Sequence, residues 1–176
     1  EKSIEDYTQV IHFEANNKLA YLNRGLLYFN LELIDKALLD YEKVLSIDSN
    51  DIEALNNLAM INYQLKNYDI AIKDYSKLLK LKPNTVDFLL NRGNSYFNTA
   101  NYSASIEDYS TAIQFDPKSI KLYYNRGKAY KMIGKNDLAI NDFNKFIKLA
   151  KTDNTYSHYI ESINKEIEQL KRNQKK

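Results

Sequence analysis

The sequence feature that most constrains this chain is a three-residue motif that returns every 34 residues. One copy reads Asn91-Arg92-Gly93, and the other copies begin at Asn23, Asn57 and Asn125. Aligning the chain on this motif places the repeat starts at Lys18, Ile52, Val86 and Ile120. A period of this length with a helical pattern inside it is typical of a solenoid built from two-helix units.

Two columns of the aligned repeats hold only small residues. The eighth and twentieth places are Gly25, Ala59, Gly93 and Gly127, then Ala37, Ala71, Ser105 and Ala139. Because a glycine inside a helix costs about 1 kcal/mol relative to alanine, its return indicates a steric demand. We expect two antiparallel helices to approach closely, the first carrying the eighth place and the second the twentieth.

Aromatic residues fill other columns. The twenty-fourth place is Tyr41, Tyr75, Tyr109 and Phe143, and the eleventh is Tyr28, Tyr96 and Tyr130, with Asn62 as the exception. Bulky residues stand at the fourth place, and Pro83 and Pro117 at the thirty-second. Together these places resemble the tetratricopeptide repeat family. The resemblance implies an all-α fold, a right-handed α-solenoid of antiparallel helix pairs with about ten helices.

The alignment divides the chain into six segments. Residues 1–17 resemble the second helix of a truncated repeat, which indicates a fragment of a longer array; full repeats follow at 18–51, 52–85, 86–119 and 120–153. A fifth repeat would place Glu161 at the small eighth place. Residues 154–176 are therefore predicted to form a single capping helix. Its apolar stripe is Tyr156, Ile160, Ile163, Ile167 and Leu170, and its basic end is Lys171, Arg172, Lys175 and Lys176.

Each repeat is predicted to read as helix, short turn, helix. The turns are expected near Glu32, Lys66, Ala100 and Gly134. Left-handed backbone, which ends many helices, is expected at Gly134 and, one place later in other repeats, at Asn67 or Asn101.

Composition narrows the function classes. The chain has no cysteine, which excludes disulfides, thiolate metal sites and thiol catalysis. The net charge of +2 is too small to favour nucleic acid as a partner. No apolar run approaches the roughly 18 residues of a membrane span, so we expect no membrane partner and a cytoplasmic location.

Catalytic patterns are weak. His12 and His158 are the only histidines, and neither has a spacing that binds metal or activates a nucleophile. No phosphate-binding loop is present. We therefore expect no enzyme activity, cofactor or metal. The aspartates at the twenty-third place, including Asp40 and Asp74, are expected to be structural, because each seventh-place arginine could pair with the aspartate of the same repeat or of the repeat before.

The resemblance implies that the first helix of each repeat lines a concave groove. The sixth place of that helix is Asn23, Asn57, Asn91 and Asn125. Asparagine amides both donate and accept, so they could hold the backbone of an extended peptide. This column is similar to the asparagine ladder in the repeats of the O-linked N-acetylglucosamine transferase. The other candidate groove residues are Leu22, Phe29, Tyr63, Asn94, Tyr124, Lys121 and Lys128.

The groove residues change in character along the chain, from apolar to basic. We therefore expect a protein or peptide partner with an acidic end near Lys121 and Lys128 and an apolar portion near Leu22 and Phe29. The carboxylate clamp of chaperone adaptors in this family needs a lysine at the fifth place, where Leu22, Asn56, Leu90 and Tyr124 stand instead. That clamp is not expected here.

The sequence thus predicts a protein–protein interaction scaffold that binds an extended peptide or a partner protein. One alternative is a self-associating structural array, a homo-oligomer. Another is the non-catalytic substrate-recognition domain of a larger enzyme.

Overall fold

The structure, a computed structural model, describes residues 2–151 and 154–174. These residues form ten α-helices and one 3-10 helix, with no strand among them, so the predicted all-α architecture is confirmed. They divide into a first unit, Glu1–Pro83, and a second unit, Asn84–Lys176. Asp153, a predicted repeat boundary, and Lys175 and Lys176 of the predicted basic end lie outside the described residues.

The first unit contains five helices, and each packs against the next along the chain. They are α1 Lys2–Phe13, α2 Lys18–Asn30, α3 Ile34–Ile47, α4 Ile52–Gln64 and α5 Tyr68–Leu81. Helices α2 and α4 begin after residues whose side chains bind the free backbone N–H groups of the first turn. The side chains of Asn17 and Asp51 accept from the backbone N–H of Ala20 and Ala54, each at 2.9 Å.

The second unit repeats this arrangement and adds a terminal helix. Its elements are α6 Val86–Asn98, α7 Tyr102–Phe115, α8 Ile120–Met132, α9 Asn136–Ala150, a 3-10 helix at Asn154–Tyr159 and α10 Ile160–Asn173. Helix α10 lies against α9. Ile163, Ile167 and Leu170 of α10 are buried in one cluster with Phe143 and Phe146, which gives the last helix pair an apolar cover.

The small and aromatic columns interlock within each repeat. A Cβ atom on Gly93 would lie 2.6 Å from Cε1 of Tyr109, and one on Gly25 would lie 2.9 Å from Cε1 of Tyr41. The expected steric demand is therefore present, but the neighbour that creates it is the ring at the twenty-fourth place. The residues of the twentieth place, Ala37, Ala71, Ser105 and Ala139, are fully buried beside these rings.

The turn inside each repeat has a left-handed residue, and in the second and third repeats it lies one place earlier than expected. The positive φ angles are 59° at Glu32, 62° at Lys66, 58° at Ala100 and 72° at Gly134. Asn67 and Asn101 have φ of −79° and −83°, so the prediction for these two asparagines is wrong. Their backbone N–H groups donate back to the carbonyls of Asn62 and Tyr96 at 2.8 and 2.9 Å. That bond closes the turn, so the following residue already begins the next helix.

The arginine and aspartate columns pair within one repeat, which resolves the two alternatives left by the sequence. Arg24 donates to both carboxylate oxygens of Asp40 at 2.8 and 2.7 Å. Arg92 and Arg126 bind Asp108 and Asp142 in the same way. These two-point contacts raise the pKa of each arginine, whereas burial raises the pKa of Asp108 against the hydrogen bond from Arg92.

The second repeat lacks this arginine because Leu58 stands at its place. The Nδ2 group of Asn62 instead donates to Asp74 at 3.2 Å. Asn62 is the residue that interrupts the tyrosine column at the eleventh place. The two exceptions of the second repeat therefore compensate each other, since an amide replaces the missing guanidinium.

Candidate functional site

The second unit contains a pocket between the first helices of its two repeats. Its volume is about 320 Å³. The lining residues are Leu90, Asn91 and Asn94 from α6, Lys121, Tyr124 and Asn125 from α8, Phe146 from α9, and Tyr156 and Tyr159 from the 3-10 helix. The pocket therefore brings together five of the eleven groove residues expected from the sequence: Asn91, Asn94, Lys121, Tyr124 and Asn125.

One wall of the pocket is a hydrogen-bonded amide pair. The hydroxyl of Tyr109 donates to Oδ1 of Asn94 at 2.8 Å, and Nδ2 of Asn125 donates to the same oxygen at 2.9 Å. Tyr109 is 1% exposed, so its ring supports this pair from inside the core. The amides of two successive repeats are thereby joined at one acceptor.

Another part of the pocket lining, the aromatic wall, is formed by Tyr124, Phe146, Tyr156 and Tyr159. The ring centroid of Tyr124 lies 5.5 Å from that of Phe146 and 6.5 Å from that of Tyr159, and the rings of Phe146 and Tyr156 are 6.4 Å apart. Each such pair contributes about 0.5–1.5 kcal/mol beyond its buried area. Burial raises the pKa of Tyr124, so its hydroxyl stays protonated at neutral pH. This wall suits a large apolar group.

Two lysines stand at this face and differ in their surroundings. The Nζ atom of Lys128 lies 5.1 Å from the ring centroid of Phe97 and 5.5 Å from that of Tyr124, so two rings hold this cation. Lys121 is exposed at the pocket and makes no ion pair within the described residues. Lys121 is therefore a solvent-exposed positive charge in the lining of the pocket.

In the first unit the candidate groove residues have more varied environments. Asn23 is exposed, while Phe29, Asn57 and Tyr63 are half-buried. The ring of Tyr63 packs edge-on against Tyr68 at 5.4 Å.

Leu22 requires a correction. It is 6% exposed and belongs to the core cluster with Tyr41, Val44 and Leu58. Its side chain is thus enclosed by α3 and α4, so we leave it out of the groove.

Besides Leu90, which stands at the fifth place of a first helix, the other lining residues were missed by sequence reasoning: Phe146, Tyr156 and Tyr159. Phe146 occupies the twenty-seventh place, where the other repeats have the smaller Val44, Leu78 and Ala112. That change in size was the available signal. The sequence placed Tyr156 on the stripe of a capping helix, but the residues before Ile160 form a 3-10 helix and turn Tyr156 and Tyr159 toward the pocket.

Within residues 2–151 and 154–174, no group of three or more histidine, aspartate or glutamate side chains is placed to hold a metal ion. In the same ranges, no helix combines the length and the apolar character that a membrane crossing requires.

The fold defines a repeat protein built from antiparallel helix pairs. Family models described as tetratricopeptide repeat match residues 19–51, 52–85 and 120–153, and one described as TPR repeat matches residues 101–134. The chain belongs to the tetratricopeptide repeat family. It is a protein-interaction scaffold in the general sense that these repeats define.

Solved structures of MamA share this fold. A crystal structure of the MamA protein superposes with a TM-score of 0.79 at 25% sequence identity, over 88% of this chain and 84% of that chain. A second crystal structure of MamA gives a TM-score of 0.81 at 25% identity, over 87% and 90% of the two chains.

A more distant MamA shows likeness in the fold alone. Residues 41 to the end of MamA from Desulfovibrio magneticus RS-1 superpose with a TM-score of 0.81 at 19% identity, over 85% of each chain. Among curated protein sequences, none matches this chain.

Proposed function

We propose that the second unit binds an extended segment of a partner protein, with an acidic group of that segment beside Lys121 and Lys128. The observation that carries this proposal is the pocket, which places two sixth-place amides, a free cation and an aromatic wall around one cavity. Asn91 and Asn125 come from successive repeats, so a peptide that follows the array meets an amide at each repeat.

The expected affinity is moderate. Each amide contact to a peptide backbone contributes about 1 kcal/mol net. An apolar side chain that fills the aromatic wall contributes about 1.5–3 kcal/mol. Since association also costs translational and side-chain freedom, we expect dissociation constants near the micromolar range.

The test is a selection of random eight-residue peptides displayed on phage against the whole chain. We expect the selected peptides to contain Asp or Glu close to an aromatic or large aliphatic residue. The double variant Lys121→Glu and Lys128→Glu should lose these peptides by about tenfold or more in affinity, because it places like charges opposite the acidic group.

The matched control is the double variant Lys118→Glu and Lys148→Glu, which has the same net charge and changes two exposed lysines outside the pocket. It should bind the selected peptides as the parent does. Selection of peptides without acidic residues, or equal loss in both double variants, would overturn the proposal.

Self-association is a second candidate, which exposed apolar side chains favour. Phe13 at the end of α1 is 83% exposed, and Leu19 at the start of α2 is 65% exposed. A second copy covering these side chains would remove them from water. Light scattering over a hundredfold range of concentration tests this candidate, and a constant monomer mass would reject it.

A further inference from the structure

The turns inside the two repeats of the first unit lie at the same end of its helices. Helices α2 to α5 pack as neighbours in chain order and are joined by short turns, so their directions alternate and the α2–α3 and α4–α5 turns share one end. Large apolar side chains are exposed there, by 42% to 53%: Leu31, Leu33, Leu65 and Ile70. Together with Glu32 and Lys66, these four residues are called the turn edge.

We propose that the turn edge is an interface between two copies of this chain, related by a two-fold axis. The proposal rests on self-association, the second candidate function above, and assigns it to one surface. This surface is separate from Leu19, which stands at the other end of α2, and from the peptide pocket, which belongs to the second unit. Burying the apolar side chains of the edge supplies the driving force.

The turn edge has one unpaired charge of each sign. Glu32 and Lys66 stand at the fifteenth place of successive repeats. Both are exposed, and neither makes an ion pair in the part of the chain that the structure describes. Their φ angles are 59° and 62°, so the two charges occupy equivalent points of turns that have the same backbone conformation.

The other charged residues beside these turns already have stabilising surroundings. The Nζ atom of Lys36 lies 5.4 Å from the ring centroid of Tyr28. Asp35 and Asp69 stand in the first turns of α3 and α5, where the helix N-terminus stabilises a negative charge. Glu32 and Lys66 are therefore the charges of this edge that are left to face a partner.

These two charges select one arrangement of the two copies. In a two-fold interface the same patch of each copy faces the other, and the two turns can be matched in two ways. Matching each turn with itself puts Glu32 against Glu32 of the second copy. The crossed match puts Glu32 beside Lys66 of the second copy, twice by symmetry, with Leu31 against Leu65. Opposite charges favour the crossed match, whereas like charges disfavour the other.

The second unit does not repeat this pattern. In its first repeat, places fourteen to sixteen are Thr99, Ala100 and Asn101, which are small or polar. Its second repeat has Ile133 and Gly134 at the fourteenth and fifteenth places. The self-complementary edge thus occurs once in the chain, so a pair of copies closes the interface. We expect a dimer and no larger assembly.

The test is sedimentation velocity of the whole chain over a hundredfold range of concentration. The parent should form a dimer at the upper end of the range. Glu32→Lys and Lys66→Glu should each dimerise at least about tenfold more weakly, because each places like charges at both symmetric contacts. An equal mixture of the two variants should dimerise as the parent does, since every contact then joins opposite charges again.

Matched controls reverse charges outside the edge. Glu42→Lys on α3 and Lys80→Glu on α5 change exposed residues of the same two repeats and carry the same changes in net charge. Each should dimerise as the parent does, and mixing them should add nothing. Among the apolar residues, Leu65→Ser should weaken the dimer severalfold, whereas Leu19→Ser should leave it unchanged.

The outcomes separate this inference from the functions proposed above. A dimer that tolerates both reversals at the edge, or single variants that stay monomeric when mixed, would overturn the inference while self-association survives. A monomer at every concentration would reject both. Peptide binding is judged independently, because Glu32 and Lys66 lie outside the pocket, so both single variants should bind the selected peptides as the parent does.

Discussion

At the scale of single residues, the eighth place of each repeat decides how closely two helices pack. Gly25, Gly93 and Gly127 face the edge of an aromatic ring from the partner helix of the same repeat. A methyl group on Gly93 would approach Tyr109 within 2.6 Å, and one on Gly25 would approach Tyr41 within 2.9 Å. Such distances require the ring or the helix to move.

We predict that Gly93→Ala destabilises the chain although alanine is the better helix former. The gain in helix propensity is about 1 kcal/mol, whereas overpacking costs about 1–3 kcal/mol. The free energy of unfolding should fall by about 1 kcal/mol, measured by urea denaturation. Gly25→Ala, with the longer approach, should cost less. A stabilised Gly93→Ala variant would show that the ring yields freely.

A second residue-scale feature is the carboxylate of Asp74, which has an amide partner where the other repeats have arginine. Burial raises the pKa of Asp74 above its ordinary value of 3.8, and the hydrogen bond from Asn62 opposes the shift only in part. Between the ordinary and the raised pKa the folded state holds more protons than the unfolded state. The free energy of unfolding attributable to Asp74 therefore falls as pH rises through this window.

We predict that Asp74→Asn stabilises the chain at pH 7 by up to about 1 kcal/mol, because a neutral amide avoids the cost of burying the charge. The gain should vanish as pH falls below the ordinary pKa of aspartate. Asp40→Asn is the matched variant in the first repeat. It should cost about 2–3 kcal/mol at pH 7 because it breaks the two-point contact with Arg24. Urea denaturation at several pH values measures both, and a destabilised Asp74→Asn variant would contradict the argument.

At the scale of elements, the turn between paired helices has the same backbone conformation in all four repeats, although different residues form it. Glu32, Lys66, Ala100 and Gly134 all have φ between 58° and 72°. A side chain in this region has a steric cost of roughly 1 kcal/mol. The packing of the two helices imposes the shape on three residues that do not favour it.

We predict that Ala100→Gly stabilises the chain by about 0.5–1 kcal/mol, because glycine adopts this backbone conformation without strain. Gly134→Ala should cost a similar amount, and its Cβ would meet no atom within 4 Å, so the cost reports backbone strain alone. Asn101→Gly, one place later with negative φ, is the control and should destabilise. Thermal unfolding followed by circular dichroism measures all three, and equal effects of Ala100→Gly and Asn101→Gly would reject the assignment.

At the scale of the whole molecule, the repeat period was sufficient to predict the all-α solenoid class. The reason is that residues at the same place of each repeat make the same kind of packing contact. The positions of Asn94, Lys121 and Asn125 on the first helices could also be predicted, since the family register places them there. The burial of Leu22 could not be predicted, because the repeat register indicates which way a side chain points and not which side chains cover it. Tyr159 was missed since it follows the last repeat, where no column applies. The Tyr109 contact joins two columns that the sequence treats separately.

The balance of charge over the chain leads to the last prediction, which separates a peptide-binding scaffold from a nucleic-acid binder. The net charge is +2, the pocket lining contains the lysine Lys121, and Lys128 lies over the ring of the lining residue Tyr124. A ligand that meets two lysines should lose no more than about tenfold in affinity between 50 and 200 mM salt, whereas proteins that contact six to ten phosphates lose about 10³–10⁵. Fluorescence anisotropy with a selected acidic peptide and with single-stranded DNA measures both dependences. A steep loss of DNA affinity with salt, together with tight DNA binding, would show that the chain is a nucleic-acid binder. Only a long row of phosphate contacts produces such a steep dependence of affinity on salt.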